Sequence, residues 1–144
     1  MIEWYNTQNE SWAGRFESKI FLDDMGGNML EVYLENSKFA GYAEKCIENL
    51  NSLPDSLIIQ ICVSLINSAE QDKADDSFEL PKLNNAKDIL NYCWFTAVYV
   101  NSPEDENVIK YVVEGEGDWG EVVGFVIENN KLVYTGVEYL ENSK

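Results

Sequence analysis

A chain of 144 residues that is 45% apolar and 12% aromatic can bury one hydrophobic core, and this composition excludes a disordered chain. Ten Lys and Arg against 26 Asp and Glu give a net charge of −16, which predicts that nucleic acid and anionic membranes are repelled. No apolar run is long enough to span a bilayer and no signal segment precedes the first strand, so we expect a single cytoplasmic domain over residues 1–144.

Two strands joined by a turn are predicted first. Side-chain types alternate over residues 12–22 and again over residues 29–35, which is typical of strands with one polar face. The Asp-Asp-Met-Gly-Gly-Asn segment between them is rich in residues that tolerate positive φ and predicts the turn of a β-hairpin. The aromatic residues near the start, among them Trp4 and Tyr5, are expected to pack in the core or at the sheet edge rather than to form an exposed patch.

The period of the apolar residues then changes from two to three or four, which predicts two helices separated by Pro54. Their apolar stripes, on residues 39–50 and 57–69, are expected to pack side by side on one face of a sheet. Free buried cysteines behave as small hydrophobes, so we also expect the thiols to be structural. The three cysteines have no spacing typical of a disulfide framework or a zinc site: Cys46, Cys62 and Cys93.

The second half predicts a polar loop and then four strands. Residues 71–85 are polar and acidic and are expected to form a surface loop. The strands are expected at residues 94–100, 108–116, 122–128 and 131–135, with Asn129-Asn130 as a two-residue hairpin turn. The fold class is therefore α+β, a mostly antiparallel sheet of about six strands with two helices on one face, in the order ββααββββ.

The composition also limits the chemistry. The chain has no histidine, which removes the commonest general base, the Ser-His and Cys-His nucleophile arrangements and the commonest zinc ligand. Neither a phosphate-binding loop nor a dinucleotide-binding glycine pattern is present, and the glycines of residues 115–120 alternate with carboxylates that repel phosphate. We therefore expect no cofactor and no metal.

One segment still invites a chemical interpretation. If the strand continues through it, Glu114, Glu116 and Asp118 point to one face at period two. Clustered carboxylates can coordinate calcium or magnesium, act as an acid–base pair or contact a basic partner. The simpler alternative is an exposed strand face followed by a bend, with Trp119 packed over the core.

The run Tyr111-Val-Val-Glu-Gly-Glu-Gly-Asp-Trp-Gly, continuing through Glu-Val-Val-Gly-Phe to Tyr134-Thr-Gly, resembles the end of a group of small uncharacterised bacterial α+β domains. Members of that group resemble immunity proteins of polymorphic toxin systems, which bind and neutralise a toxin in the cell that produces it. The resemblance implies a non-catalytic protein that binds a toxin, and it supplies no catalytic residues. The acidity of the chain favours a basic toxin domain as the partner.

The sequence thus favours a non-catalytic protein-binding module. Two alternatives remain open: a carboxylate-based or divalent-metal-dependent enzyme, and an accessory or scaffold domain. The acidity alone also keeps a small protein soluble. A basic partner would be expected to contact the acidic loop, the acidic turn and the acidic strand with its tryptophan, namely Asp72, Asp75, Asp76, Glu104, Asp105, Glu106, Glu114, Glu116, Asp118 and Trp119.

Overall fold

A computed structural model describes residues 1–73 and 77–143 of the chain. Within these residues, seven strands form one sheet in which each strand lies beside the next strand along the chain. The strands are β1 (Glu3–Asn6), β2 (Trp12–Glu17), β3 (Met29–Leu34), β4 (Cys93–Val100), β5 (Lys110–Gly117), β6 (Val122–Glu128) and β7 (Lys131–Gly136). The two α-helices are α1 (Ala40–Leu50) and α2 (Asp55–Gln71), and short 3-10 turns lie at Ser37–Phe39, Ala86–Asn91 and Glu141–Ser143.

Neighbouring strands are antiparallel except for β3 and β4, which are parallel. A parallel pair needs a long crossover, because the chain must return to the end of the sheet where the first strand began. The two helices lie between β3 and β4 in the chain and form part of that crossover. The α+β class, the mostly antiparallel sheet and the two helices are confirmed, while the strand count is seven and the order is βββααββββ.

The N-terminal region accounts for most of the difference from prediction. Residues 3–6 form a strand that pairs with β2, although the local pattern did not reveal it. The strand predicted over residues 12–22 ends at Glu17, and the following segment turns away from β3. There Phe21 is 1% exposed, and the Phe95 N–H donates to the Leu22 carbonyl over 2.8 Å. Core packing of Phe21, which local alternation cannot report, decides this path.

The predicted apolar stripes of both helices are confirmed as the surfaces that face the sheet. Fully or nearly fully buried residues recur along α1 at Tyr42, Cys46 and Leu50 and along α2 at Ile61 and Leu65. They belong to one core with the inward side chains of the sheet. All three cysteines are free and buried, as expected. The helices therefore cover one face of the sheet, and they define the opposite surface, which we call the outer face.

A turn and a strand glycine in the last hairpin show how local chemistry determines the path. Asn129 and Asn130 have φ values of 49° and 62°, as the predicted two-residue hairpin turn between β6 and β7 requires. Gly124 permits a close approach on the outer face, because a Cβ at this position would lie 2.3 Å from Cγ of Tyr139. The segment after β7 can therefore fold back over β6.

Within residues 1–73 and 77–143, no individual helix has the length and apolar content that a bilayer span requires. Only the consecutive segments Ser37–Leu50 and Asp55–Gln71 reach those values together, and they are bent by 86° where they meet.

Candidate functional site

The outer face carries two neighbouring rows of side chains that run across the strands. The sheet register determines the first row, which we call the charged row: Glu3, Arg15, Glu31, Ala97, Glu114, Gly124 and Gly136. The second, which we call the tyrosine row, lies two residues along each strand: Ala13, Tyr33, Tyr99, Val112, Val126 and Tyr134. Carboxylates and aromatic rings thus lie side by side on the face opposite α1 and α2.

The C-terminal segment after β7 covers the part of the outer face built by β5, β6 and β7. Tyr139, 6% exposed, packs against Val112 and Val126 in a small second core. The Glu138 N–H donates to the Tyr134 hydroxyl over 2.9 Å and holds the start of the segment. The part of the outer face built by β1 to β4 lies beside this cover and remains accessible: Tyr5 is 47% and Tyr33 is 38% exposed.

Glu114 orders the boundary between the covered and the open part. Its Oε1 accepts a hydrogen bond from the Tyr99 hydroxyl at 3.3 Å, and its Oε2 accepts one from the Tyr139 hydroxyl at 2.8 Å. Burial, together with the Glu114 carboxylate, raises the pKa of Tyr99 to about 12 and also raises the pKa of Tyr139. Both oxygens of Glu114 already accept hydrogen bonds from tyrosines of the same chain. The role of this carboxylate is therefore mainly structural.

At the other end of the charged row, an arginine, a tyrosine and a glutamate form a cluster. Cζ of Arg15 lies 4.7 Å from the centroid of the Tyr5 ring, and the Tyr5 hydroxyl donates to Oε2 of Glu31 over 2.5 Å. The hydrogen bond to Glu31 is the main reason that the pKa of Tyr5 is raised to about 12. This cluster shows that the outer face can hold a guanidinium against a tyrosine beside a carboxylate.

A stacked pair of tyrosines lies in the middle of the open part. Tyr33 and Tyr99 are directly opposite each other on the parallel strands β3 and β4, with ring centroids 5.3 Å apart and planes inclined by 25°. Parallel strands end at the same edge of a sheet, so the residues that follow them, Glu35 and Asn101, also come together. Oε2 of Glu35 accepts the Ser102 N–H at 2.6 Å, and this bond lowers the pKa of Glu35 below its ordinary value.

Two hollows open at this edge. The larger, of 840 Å³, lies between the β4–β5 connection, the start of β5 and the C-terminal segment, and its wall includes Glu35, Glu104, Asp105 and Glu128. The smaller, of 350 Å³, lies beside the Tyr33–Tyr99 stack. Glu35, Tyr99 and Asn101 line both hollows. Together they extend the acidic and aromatic outer face around the end of the sheet.

The structure brings only some of the residues predicted for the site together. Glu114 and Glu116 lie on the outer face of β5, and Glu104 and Asp105 line the larger hollow, with the exposed Glu106 next in the chain. Asp72 follows the C-terminus of α2, in the helical layer, and its N–H donates to the Ser68 carbonyl. Asp75 and Asp76 lie outside the described residues.

The last two predicted residues follow the end of β5. Asp118 is exposed but lies in the turn after Gly117, so the period-two row of carboxylates stops at Glu116. The Trp119 ring is 1% exposed and packs against Gly117, which agrees with the simpler alternative that the tryptophan covers the core. Trp119 therefore belongs to the scaffold of this region and is not part of the accessible outer face.

Within residues 1–73 and 77–143, no three Asp, Glu or Cys side chains converge in a way that could hold a metal ion. The thiols are also poor nucleophiles, since the thiolate is the reactive form. Burial raises the pKa of Cys46 and of Cys93 to about 12 and the pKa of Cys62 to about 11. These three buried thiols belong to the core and not to the outer face.

Sequence reasoning did not single out Tyr33, Tyr99 or Glu35. The sequence did contain a relevant signal for two of them. The alternation in residues 29–35 places Glu31, Tyr33 and Glu35 on the face opposite Leu30, Val32 and Leu34. The alternation could not indicate which residue lies beside Tyr33 in the sheet. Tyr99 lies 66 residues further along the chain, and only the parallel register aligns it with Tyr33.

Raising the pH above about 10 is expected to destabilise the protein. Burial raises the pKa of Tyr42 to about 12 and also raises the pKa of Tyr111. The native state therefore holds these phenolic protons more tightly than the unfolded chain, so the stability they contribute is complete below about pH 10 and is lost as the pH rises through about 12. Denaturant midpoints measured at about pH 8 and about pH 11, with tyrosinate absorbance, would test this.

A Tyr111→Phe variant is the control, because it keeps the buried ring and removes one titrating group. Its midpoint should fall less between the two pH values than that of the wild type. An unchanged wild-type midpoint, with tyrosinate forming at its ordinary pKa, would contradict the assignment of these tyrosines.

Comparison with known protein families gives a match over most of the chain. The family described as "Domain of unknown function (DUF6985)" matches residues 4–139, which include both helices and all of the sheet except Glu3, the first residue of β1. No curated protein and no solved structure matches the chain. Since the match covers nearly the whole sequence, the chain belongs to the DUF6985 family.

Proposed function

We propose that the protein is a non-catalytic protein-binding module whose outer face takes a basic partner. The observation that carries the proposal is the open part of the outer face, where exposed tyrosines lie among carboxylates on strands, on the side of the sheet opposite α1 and α2. Tyrosines provide large contact areas at a low cost in side-chain entropy, and they are common in binding surfaces. A rigid strand scaffold also reduces the ordering cost of association.

The charge of the face determines the kind of partner. Six carboxylates occupy strand positions on the outer face: Glu3, Glu17, Glu31, Glu114, Glu116 and Glu128. Three cations, Arg15, Lys110 and Lys131, share it, and Arg15 already lies over Tyr5. With a net charge of −16 on the whole chain, a positively charged protein would be steered towards this face and held against it.

A more specific form of the proposal identifies the partner as a toxin domain. The protein is then the immunity protein of that toxin and acts in the cytoplasm. The segment from Tyr111 to Gly136 resembles small uncharacterised bacterial domains whose members look like immunity proteins, which supports this form, as does the acidity. Neutralising a basic toxin by covering it requires no catalytic group, which fits a surface built from tyrosines and glutamates.

The test compares two charge-neutralising double variants. Glu17→Gln with Glu116→Gln removes two exposed charges from the outer face, and Glu48→Gln with Glu70→Gln removes two exposed charges from the helices. The probe is the purified product of the gene adjacent to this one, with affinity measured by calorimetry. The outer-face pair should weaken binding about tenfold at low salt and the helix pair less than about twofold.

Added salt should reduce the affinity of the wild type for the probe, because exposed charges are screened. It should also reduce the difference in affinity between the two double variants. Binding that ignores salt, or that weakens equally in both double variants, would overturn the outer face as the contact surface. If the neighbouring product is a toxin, loss of protection in cells expressing the outer-face variant would support the immunity role. Full protection by that variant would contradict the role of this face in it.

A further inference from the structure

The smaller hollow, which we call the socket, combines a ring, a carboxylate and amides at one point of the outer face. Its wall includes Tyr33, Glu35, Tyr99, Asn6 and Asn101, and it encloses 350 Å³. That volume lies at the lower end of the range for small-ligand pockets, which suits a single side chain better than a large cofactor. The parallel pairing of β3 and β4 builds it by ending both strands at the same edge.

The aromatic wall is held in place from behind. Tyr99 stacks on Tyr33 and donates its hydroxyl to Glu114, which also binds Tyr139. Tyr33 nevertheless remains 38% exposed, so a sizeable part of its ring is available to a ligand. An ordered ring with an accessible surface is the arrangement on which a guanidinium stacks.

The anionic wall is also positioned by the chain itself. Oε2 of Glu35 accepts the Ser102 N–H, the Glu35 N–H donates to the Val100 carbonyl, and the Glu35 carbonyl accepts the Ser11 hydroxyl. These bonds connect the ends of β3 and β4 and the loop before β2. The carboxylate retains acceptor capacity beyond its bond to Ser102, and the lowered pKa of Glu35 keeps it ionised in mildly acidic solution.

The same face already contains this recognition chemistry within the chain. Arg15 lies over the Tyr5 ring, and Tyr5 binds Glu31, so a guanidinium, a phenol ring and a carboxylate meet on β1, β2 and β3, in the row beside the socket. The socket presents the ring and the carboxylate, and among its lining residues there is no Lys or Arg. A cation that pairs with Glu35 in the socket would therefore belong to a ligand.

We infer that the socket binds an arginine side chain of the basic partner, with the guanidinium stacked on Tyr33 and paired with Glu35. This inference rests on the proposed function and adds the type of partner residue that the outer face recognises. Arginine fits better than lysine because a planar guanidinium stacks on a ring and binds a carboxylate through two N–H groups, whereas an ammonium is a compact, strongly hydrated charge.

The experiment uses the full-length protein and two probe peptides of equal length, an oligo-arginine and an oligo-lysine, with Kd measured by calorimetry at physiological salt. Both peptides carry the same charge, so the general attraction of the acidic surface cancels in the ratio of the two Kd values. We expect the oligo-arginine to bind about tenfold more tightly, which corresponds to about one good cation–π and bidentate contact.

Three variants distinguish the contribution of the Tyr33 ring from that of the Glu35 charge. Tyr33→Ala should reduce the arginine preference to about twofold or less, and Tyr33→Phe should preserve it, because stacking needs the ring and not the hydroxyl. Glu35→Gln should weaken the arginine peptide more than the lysine peptide. Glu48→Gln, an exposed charge on α1, is the matched control and should leave the ratio unchanged. Thermal melts of each variant verify folding.

The possible results separate the two proposals. If both peptides bind equally, or if the preference for arginine survives Tyr33→Ala, the socket does not recognise arginine. In that case, salt-sensitive binding that depends on Glu17 and Glu116 would still support the basic-partner proposal. If neither peptide binds, the proposed function itself fails. Amide shifts of Tyr33, Glu35 and Asn101 on adding the oligo-arginine locate the contact, and shifts confined to the helices would overturn the inference.

Discussion

Replacing Phe125 by alanine is expected to lower the free energy of unfolding by about 3–5 kcal/mol. Phe125 is fully buried, and its ring lies 5.2 Å from the ring of Phe21 and 5.7 Å from that of Phe95. Phe21 and Phe95 are themselves in edge contact at 5.0 Å. Removing the ring of Phe125 leaves a cavity at the point where β6, β4 and the segment after β2 meet, and all three elements lose packing at once.

Denaturant unfolding of Phe125→Ala and of a control measures this loss. The control is Val133→Ala on β7, because Val133 is 52% exposed and its truncation should change the free energy of unfolding by less than about 0.5 kcal/mol. A loss below about 1 kcal/mol for Phe125→Ala would mean that the three rings do not form one packed cluster.

Truncating the inward face of α2 is expected to have the second largest effect. Ile61 and Leu65 are both 0% exposed, and each belongs to the core between the helices and the sheet. Ile61→Ala or Leu65→Ala should lower the free energy of unfolding by about 2–5 kcal/mol, because the surrounding side chains collapse only partly into the space left behind. The same helix provides matched controls at Ile59 and Val63, which are 41% and 46% exposed.

Urea or guanidinium titration of the four alanine variants would compare the inward and outward faces directly. We expect the two inward variants to lose at least about 2 kcal/mol and the two outward ones less than about 0.5 kcal/mol. A change below about 0.5 kcal/mol at both Ile61 and Leu65 would show that a different face of α2 packs on the sheet.

Both stability predictions concern the layer that supports the outer face and not the outer face itself. The charged row and the tyrosine row stand on strands whose opposite side chains fill the core, such as Val32 and Val98, both 0% exposed. Charge variants on the outer face should therefore change binding with little loss of stability. This separation of the two faces makes the binding tests interpretable.

Much of the secondary structure was determined by local sequence. Helix α2 has its predicted face because Leu57, Ile61 and Leu65 repeat at the helical period, and any helix there must turn that stripe towards other apolar groups. The Asn129-Asn130 turn was equally local, since asparagine tolerates the positive φ that a two-residue hairpin needs. Fold class and most strand positions followed from such short-range patterns.

Only the tertiary structure decided which strands are neighbours and what they bring together. The alternation of residues 18–22 is compatible with a strand, but burial of Phe21 against Phe95 and Phe125 takes that segment out of the sheet. The socket likewise depends on the parallel register that aligns Tyr33 with Tyr99. Local periodicity specifies which side of a strand is apolar, whereas register is chosen by contacts between segments far apart in the chain, and their energy appears only when the core is assembled.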